Sequence, residues 1–160
     1  MSKLFSKVPL VMLFALCFPA VALMPGAQAT NFRWQCVTFA RSFSGIEIRG
    51  NAHTWWEQSA GRYHRSSRPE VGAVLVFKSF GTGGMRLGHV ATISEVLNNR
   101  EVLITHANWT GKGEVDTNVR AVDVSPSGDW SRVRVWYPPV NDLGRTAYPA
   151  FGFIHPNYEG

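Results

Sequence analysis

Cysteine is scarce in this chain, and its scarcity limits the possible chemistry. The 160 residues include two cysteines, Cys17 and Cys36, and five histidines. If Cys17 is removed with an export signal, Cys36 is left as a single thiol that has no partner for an internal disulfide. A zinc site is not expected, because the sequence has no second thiol nearby and no clustered histidines to serve as ligands.

Signals of nucleotide and nucleic-acid binding are also missing. The formal charge is +5 at pH 7, but the arginines are scattered, and only Arg62, Arg65 and Arg68 lie close together, which does not predict a nucleic-acid groove. The glycine-rich stretch 79–88 lacks a Gly-Lys-Ser/Thr ending and precedes a predicted strand, so we interpret it as a flexible loop beside a cleft. The sequence contains no internal repeat, low-complexity segment or linker.

The first 29 residues have the pattern of an export signal. Two lysines precede an apolar run over 8–23, and Ala27-Gln28-Ala29 has the form of a cleavage site. The alternatives are an uncleaved anchor or a lipoprotein, but the run is short for a membrane span and a proline interrupts it. We expect removal of residues 1–29, which leaves one domain over 30–160 with no stable membrane span, located in the periplasm or outside the cell.

Cys36 lies near the start of a predicted short helix. Apolar residues follow it at helical spacing, and Gly45 is the expected stop. The first turn lies at the positive end of the helix dipole, where the pKa of a thiol is lowered and the reactive thiolate is populated. We therefore expect Cys36 to be a nucleophile. The alternative is a small buried core residue, because free cysteines are often buried.

The rest of the chain predicts one more helix and several strands. Residues 52–60 have a helical pattern in which Trp55, Trp56 and Ala60 are expected to face the core. The apolar run 71–77 predicts a central strand covered on both faces. Further strands are expected at 119–124 and 133–137. The tail over 138–160 is expected to be rich in turns and anchored by aromatic side chains.

A hairpin over residues 89–109 brings polar residues together. Asn98-Asn99 is the expected two-residue turn, because asparagine tolerates the positive φ angles that such turns require. In that register His89, His106 and Asn108 project from one face of the sheet. A slip of one residue would send His89 to the opposite face.

These residues predict a site for nucleophilic catalysis. A cysteine nucleophile needs a base within hydrogen-bond reach, and the base needs a third group that fixes its tautomer and orientation. His89 is the candidate base, and either His106 or Asn108 is the candidate third group. The alternative interpretations are two structural strand histidines and a turn-forming asparagine.

Three short motifs in this order carry a family resemblance. Gln35-Cys36-Val37, Gly88-His89-Val90-Ala91 and His106-Ala107-Asn108-Trp109 resemble the motifs of the CHAP domain. This family of cysteine, histidine-dependent amidohydrolases/peptidases is related to NlpC/P60 and papain-like enzymes. The resemblance implies an α+β, papain-like/NlpC-P60-like fold, in which N-terminal helices pack on a mainly antiparallel sheet.

The resemblance also implies residue roles. Cys36 would be the nucleophile, His89 the general base, and Asn108 the family's asparagine before tryptophan, while His106 occupies a position where glutamate is common. The backbone amide of Cys36, with Gln35, would stabilise the oxyanion. No cofactor is needed for this chemistry.

The implied activity is hydrolysis of an amide bond in peptidoglycan by an exported thiol hydrolase. Peptidoglycan is then the expected partner, and the sequence identifies no protein partner. Two alternatives remain at this point: a catalytically silent module that binds the cell envelope, and a papain-like peptidase or acyl transferase that acts on another substrate.

Overall fold

The computed structural model describes residues 33–156 of the chain. The predicted export signal, 1–29, lies outside the described residues. Within the described range there are two α-helices and eight strands, with three short 3-10 helices between them. The helices are α1 (Cys36–Ser44) and α2 (Trp55–Gln58). The strands are β1 (Arg65–Ser66), β2 (Val74–Phe77), β3 (His89–Asn98), β4 (Glu101–Ala107), β5 (Val115–Asp123), β6 (Arg132–Tyr137), β7 (Asp142–Leu143) and β8 (Tyr148–Ile154).

Helix α1 begins and ends where the sequence predicts. Gln35 is the N-cap, and its amide donates to the Thr38 hydroxyl at 3.2 Å. Gly45 ends the helix in the left-handed conformation, with φ 75°, and its amide donates to a carbonyl in the last turn at 2.9 Å. The prediction that Cys36 lies in the first turn is confirmed, and Cys36 is the first residue of the helix.

The second helical segment is more broken than its pattern predicts. A 3-10 turn over Ala52–Thr54 precedes the four-residue α2. Trp55 is buried as expected. The expectation that Ala60 faces the core is wrong, because the helix ends at Gln58 and leaves Ala60 exposed.

The sheet is antiparallel throughout the described strands. Its order is β1-β8-β2-β3-β4-β5-β6-β7, and an additional β8–β6 pairing closes six of the strands into a ring. The expectation of an irregular tail is wrong for 148–154, which form β8. The predicted aromatic anchors Tyr148, Phe151 and Phe153 all belong to this strand, which pairs with β1, β2 and β6. The α+β class with a mainly antiparallel sheet is confirmed.

Strand β2 separates two hydrophobic cores. It is shorter than the predicted 71–77 strand, but all four of its residues are buried, so the prediction that both faces are covered is confirmed. Leu75 and Phe77 pack in the core enclosed by the ring of strands. Val74 and Val76 point to the other face, where they pack against the helical segments that include Trp55. Helices therefore cover one face of the sheet.

The β3–β4 hairpin reaches the predicted register by an unexpected route. Its turn is at 99–100, so the prediction of a turn at 98–99 is wrong by one residue. Two register shifts along the hairpin compensate, and Thr92 pairs with Thr105 as the predicted register requires. The face on which His89 lies is therefore the predicted one.

Within residues 33–156, no helix is both long enough and apolar enough to span a bilayer.

Candidate active site

A cleft of about 1140 Å³ lies where α1 meets the start of β3 and the end of β4. Four of its lining residues are sequence-predicted site residues, namely Gln35, Cys36, His89 and Asn108. The 3-10 turn Gly84–Leu87 contributes to the rim, so the expectation that the glycine-rich loop borders a cleft is confirmed. The structure thus brings together residues that are far apart in sequence.

Cys36 is a partly buried thiol at the start of α1. Burial raises its pKa, while hydrogen bonding from the backbone amides of Val90, Val37 and Cys36 itself opposes this rise without cancelling it. The expectation of a lowered thiol pKa is therefore wrong for the free protein, because desolvation outweighs the helix terminus. The resting thiol is protonated at neutral pH.

His89 and His106 form a hydrogen-bonded pair on one face of the sheet. The distance from His89 Nε2 to His106 Nδ1 is 2.9 Å, and both side chains are buried. The ring of Trp109 lies 4.9 Å from that of His89 and 5.4 Å from that of His106. The predicted juxtaposition of the two histidines is present, and an aromatic ring shields it from solvent.

Burial keeps both histidines neutral. It lowers the pKa of His89 well below 6.5, and the neighbouring His106 lowers it further. It also lowers the pKa of His106 to about 4, although Asp116 acts in the opposite direction. A neutral imidazole has a free lone pair and can accept a proton from a thiol.

Acidification should destabilise the fold through this pair. As the pH falls, an unfolded histidine binds a proton near pH 6.5, whereas the buried His106 of the folded protein does not bind one until about pH 4. The free energy of unfolding should therefore fall as the pH drops through this window. Urea unfolding at pH 7 and at pH 4.5 should show a smaller fall for His106→Gln than for the parent. An equal fall in both would contradict this account.

Gly88 allows β3 to begin next to the helical segment. Its φ is +72°, and a Cβ at this position would lie 2.7 Å from both the His53 nitrogen and the Phe77 carbonyl oxygen. Backbone atoms cannot move aside easily, so only glycine fits this close approach.

A Gly88→Ala variant should therefore be less stable by about 2–4 kcal/mol, from left-handed strain and the backbone clash together. Thermal or urea unfolding measures the loss. Gly72→Ala is the matched control, since Gly72 has φ +87° with no atom within 4 Å of an added Cβ. An equal loss in the two variants would show that the clash contributes nothing.

Asn108 contacts Gln35 and not His89 in the described hydrogen bonds. It directly follows β4 and has φ 64°. Its Oδ1 accepts from the Gly113 amide at 2.9 Å, and its Nδ2 donates to Gln35 Oε1 at 3.1 Å. The Gly113 amide can only donate, so it fixes which end of the Asn108 side chain is oxygen. Gln35 Oε1 is then occupied as an acceptor, and its Nε2 is left as a donor at the cleft wall.

Sequence reasoning missed part of the cleft and one carboxylate outside its lining. Tyr148 belongs to the unrecognised strand β8, and its ring lies 5.1 Å from that of Trp109. Asp116 was missed because β5 begins at Val115, four residues before the predicted strand. The sequence carries no clear signal for this extension, because residues 116–118 are three consecutive polar residues and break the period-two pattern of a strand.

In the part of the chain that the structure describes, no group of three or more His, Cys, Asp or Glu residues is placed to hold a metal ion.

The chain matches a protein-family model, and its fold has a distant likeness to a solved structure. Residues 27–108 match the model of the CHAP domain. A crystal structure of N-acetylmuramoyl-L-alanine amidase from Staphylococcus aureus is similar with a TM-score of 0.49 and 19% sequence identity. That match covers 73% of this chain and 30% of the amidase chain. No curated protein matches the sequence.

Proposed function

Because the chain belongs to the CHAP domain family, we propose that it is an exported thiol hydrolase that cuts an amide bond of peptidoglycan. The observation that carries the proposal is the cleft that holds Cys36 beside the hydrogen-bonded pair of His89 and His106. The proposal includes a papain-like arrangement of helix and sheet. It also includes removal of residues 1–29 and a location in the periplasm or outside the cell.

Catalysis begins with a neutral thiol and a neutral imidazole. His89 accepts the proton of Cys36 as the sulfur attacks the amide carbonyl, and His106 holds the His89 ring from its far side. The imidazolium then donates that proton to the leaving amine, which leaves a thioester on Cys36. His89 next activates a water molecule, which hydrolyses the thioester and restores the thiol.

The oxyanion is held by donors at the start of α1. The Cys36 backbone amide belongs to the first turn, whose amides have no partner within the helix. Gln35 Nε2 is the second donor, because Asn108 occupies Gln35 Oε1. In this proposal Asn108 positions Gln35, and His106 is the third group that orients His89.

An Asn108→Asp variant should hydrolyse its substrate slowly, because it reverses the orientation of the Gln35 side-chain amide. A carboxylate accepts hydrogen bonds but cannot donate one to Gln35 Oε1, so the Gln35 amide turns and presents oxygen to the oxyanion. We expect kcat to fall by about 100-fold, the usual loss for one oxyanion donor. Asn141→Asp is the control, because Asn141 is another asparagine with positive φ (46°). Equal rates for Asn108→Asp and the parent would contradict the role given to Asn108.

The substrate class is tested by offering the purified protein two kinds of amide. Peptidoglycan sacculi and unfolded casein are incubated with it, and newly formed amino groups are measured with a fluorescent amine reagent. We expect the protein to release new amino groups and soluble fragments from sacculi and none from casein. Cleavage of casein at a similar rate would favour the general peptidase. Binding to sacculi without fragments would favour the silent envelope-binding module.

A further inference from the structure

Asp116 lies directly behind the histidine pair. It is paired with His106 across β4 and β5, and its Oδ2 is 3.8 Å from His106 Nε2. The Asp116 side chain is only 12% exposed, and that of His106 is fully buried. His106 Nε2 has no hydrogen-bond partner among the described residues. A buried ring nitrogen thus faces one carboxylate.

An irregularity in β5 produces this pairing. Ile104 pairs with Val119, but the register shifts by one residue before His106, so that Asp116 and not Thr117 becomes its partner. Asn118, at the shift, has φ 54°. Bulges of this kind change the direction of side chains, and they are common beside active sites.

Thr110 fixes the Asp116 carboxylate. Its hydroxyl donates to Asp116 Oδ1 at 2.7 Å, and its amide nitrogen lies 3.4 Å from Oδ2. The carboxylate therefore has a defined orientation, with Oδ2 toward His106. This arrangement uses a residue outside all three sequence motifs.

We propose that Asp116 is a positioning residue that selects the tautomers of both histidines and so leaves the His89 Nδ1 lone pair free to act as the base. The carboxylate favours an N–H at His106 Nε2 over a lone pair, because a lone pair would face negative charge. A neutral imidazole carries one N–H, so His106 Nδ1 must then accept. His89 Nε2 donates to it, and His89 Nδ1 is left unprotonated.

The opposite tautomers would disable the base. If His106 Nδ1 donated to His89 Nε2, then His89 Nδ1 would carry the proton and could not accept one from Cys36. The 2.9 Å contact between the rings is compatible with either direction of donation. Among the described residues, Asp116 is the group that favours one direction of donation over the other. The catalytic consequence rests on the proposed function, whereas the tautomers themselves do not.

Nitrogen-15 NMR of the histidine rings at neutral pH tests the proposal without any substrate. Protonated and unprotonated ring nitrogens resonate in separate regions, so each tautomer is read directly. We expect wild-type His89 to be unprotonated at Nδ1 and protonated at Nε2. Asp116→Ala removes the carboxylate, and Asp116→Asn removes its charge while keeping its shape. In either variant that folds, a population of His89 with a protonated Nδ1 should appear.

The rate of sacculi hydrolysis gives the second measurement. We expect kcat to fall by about 10- to 100-fold in the Asp116 variants, the range typical for loss of a residue that orients a functional side chain from behind. Glu95→Gln is the control, because it removes an exposed carboxylate from the strand that carries His89.

A protonated His89 Nδ1 in the wild type, or unchanged tautomers in the folded Asp116 variants, would overturn the proposal. Failure of the wild type to release fragments from sacculi, with the tautomers as expected, would overturn the proposed function and leave the tautomer assignment in place.

Discussion

A Cys36→Ser variant should fold normally and hydrolyse peptidoglycan at least about 1000-fold more slowly than the parent. Serine keeps nearly the same size, but a hydroxyl is far less acidic than a thiol. His89, whose pKa burial lowers well below 6.5, is too weak a base to activate a hydroxyl. Proton transfer from the Cys36 thiol is less unfavourable than transfer from a hydroxyl, because a thiol is the stronger acid even when burial raises its pKa.

Two measurements on the same preparation make this result interpretable. The midpoint of thermal unfolding reports whether the serine variant keeps its fold, and the release of amino groups from sacculi reports its rate. Ser44→Ala, at the far end of the same helix, is the control for a hydroxyl-sized change in α1. A serine variant within tenfold of the parent rate would show that Cys36 is not the nucleophile.

His89→Gln should lower kcat by about 1000-fold while leaving most of the fold intact. Glutamine can keep a hydrogen bond to His106, but its amide can neither accept the thiol proton nor return it to the leaving amine. Both steps of the proposed reaction depend on this exchange. Since His89 lies in the cleft wall beside Cys36, the variant also tests which imidazole reaches the thiol.

His64→Gln is the matched control for this change. His64 is exposed and its ring lies 4.9 Å from that of His155, outside the residues that line the cleft. Its rate should match that of the parent. If His89→Gln retained a tenth of the parent rate or more, another group would have to supply the base.

The sequence was sufficient for the parts of the fold that depend on local signals. Helix α1 is bounded by a capping interaction and by Gly45, both of which act within a few residues. Strand β8 was missed because its partners β2 and β6 are distant in sequence. Pairing with distant strands buries Ala150 and residues 152–154, which is not a simple period-two pattern that the sequence could show.

The sequence predicted which residues of the candidate site lie close together. The pairing of His89 with His106 follows from the period-two geometry of a hairpin, and the compensating register shifts preserved it. The contact of Asn108 with Gln35 was not predictable, because it depends on how the end of β4 approaches α1. The thiol pKa was predicted in the wrong direction, since desolvation depends on packing that only the structure defines.

Mass spectrometry of the fragments that the parent and Cys36→Ala release from sacculi, side by side, shows directly whether Cys36 cuts an amide bond. We expect the parent to release muropeptides with the new amine and carboxylate ends of a cut amide bond. We expect Cys36→Ala to release none, although it still unfolds at the parent's temperature. Release of the same fragments by Cys36→Ala, or cleavage by the parent at sugar linkages alone, would contradict the proposed function.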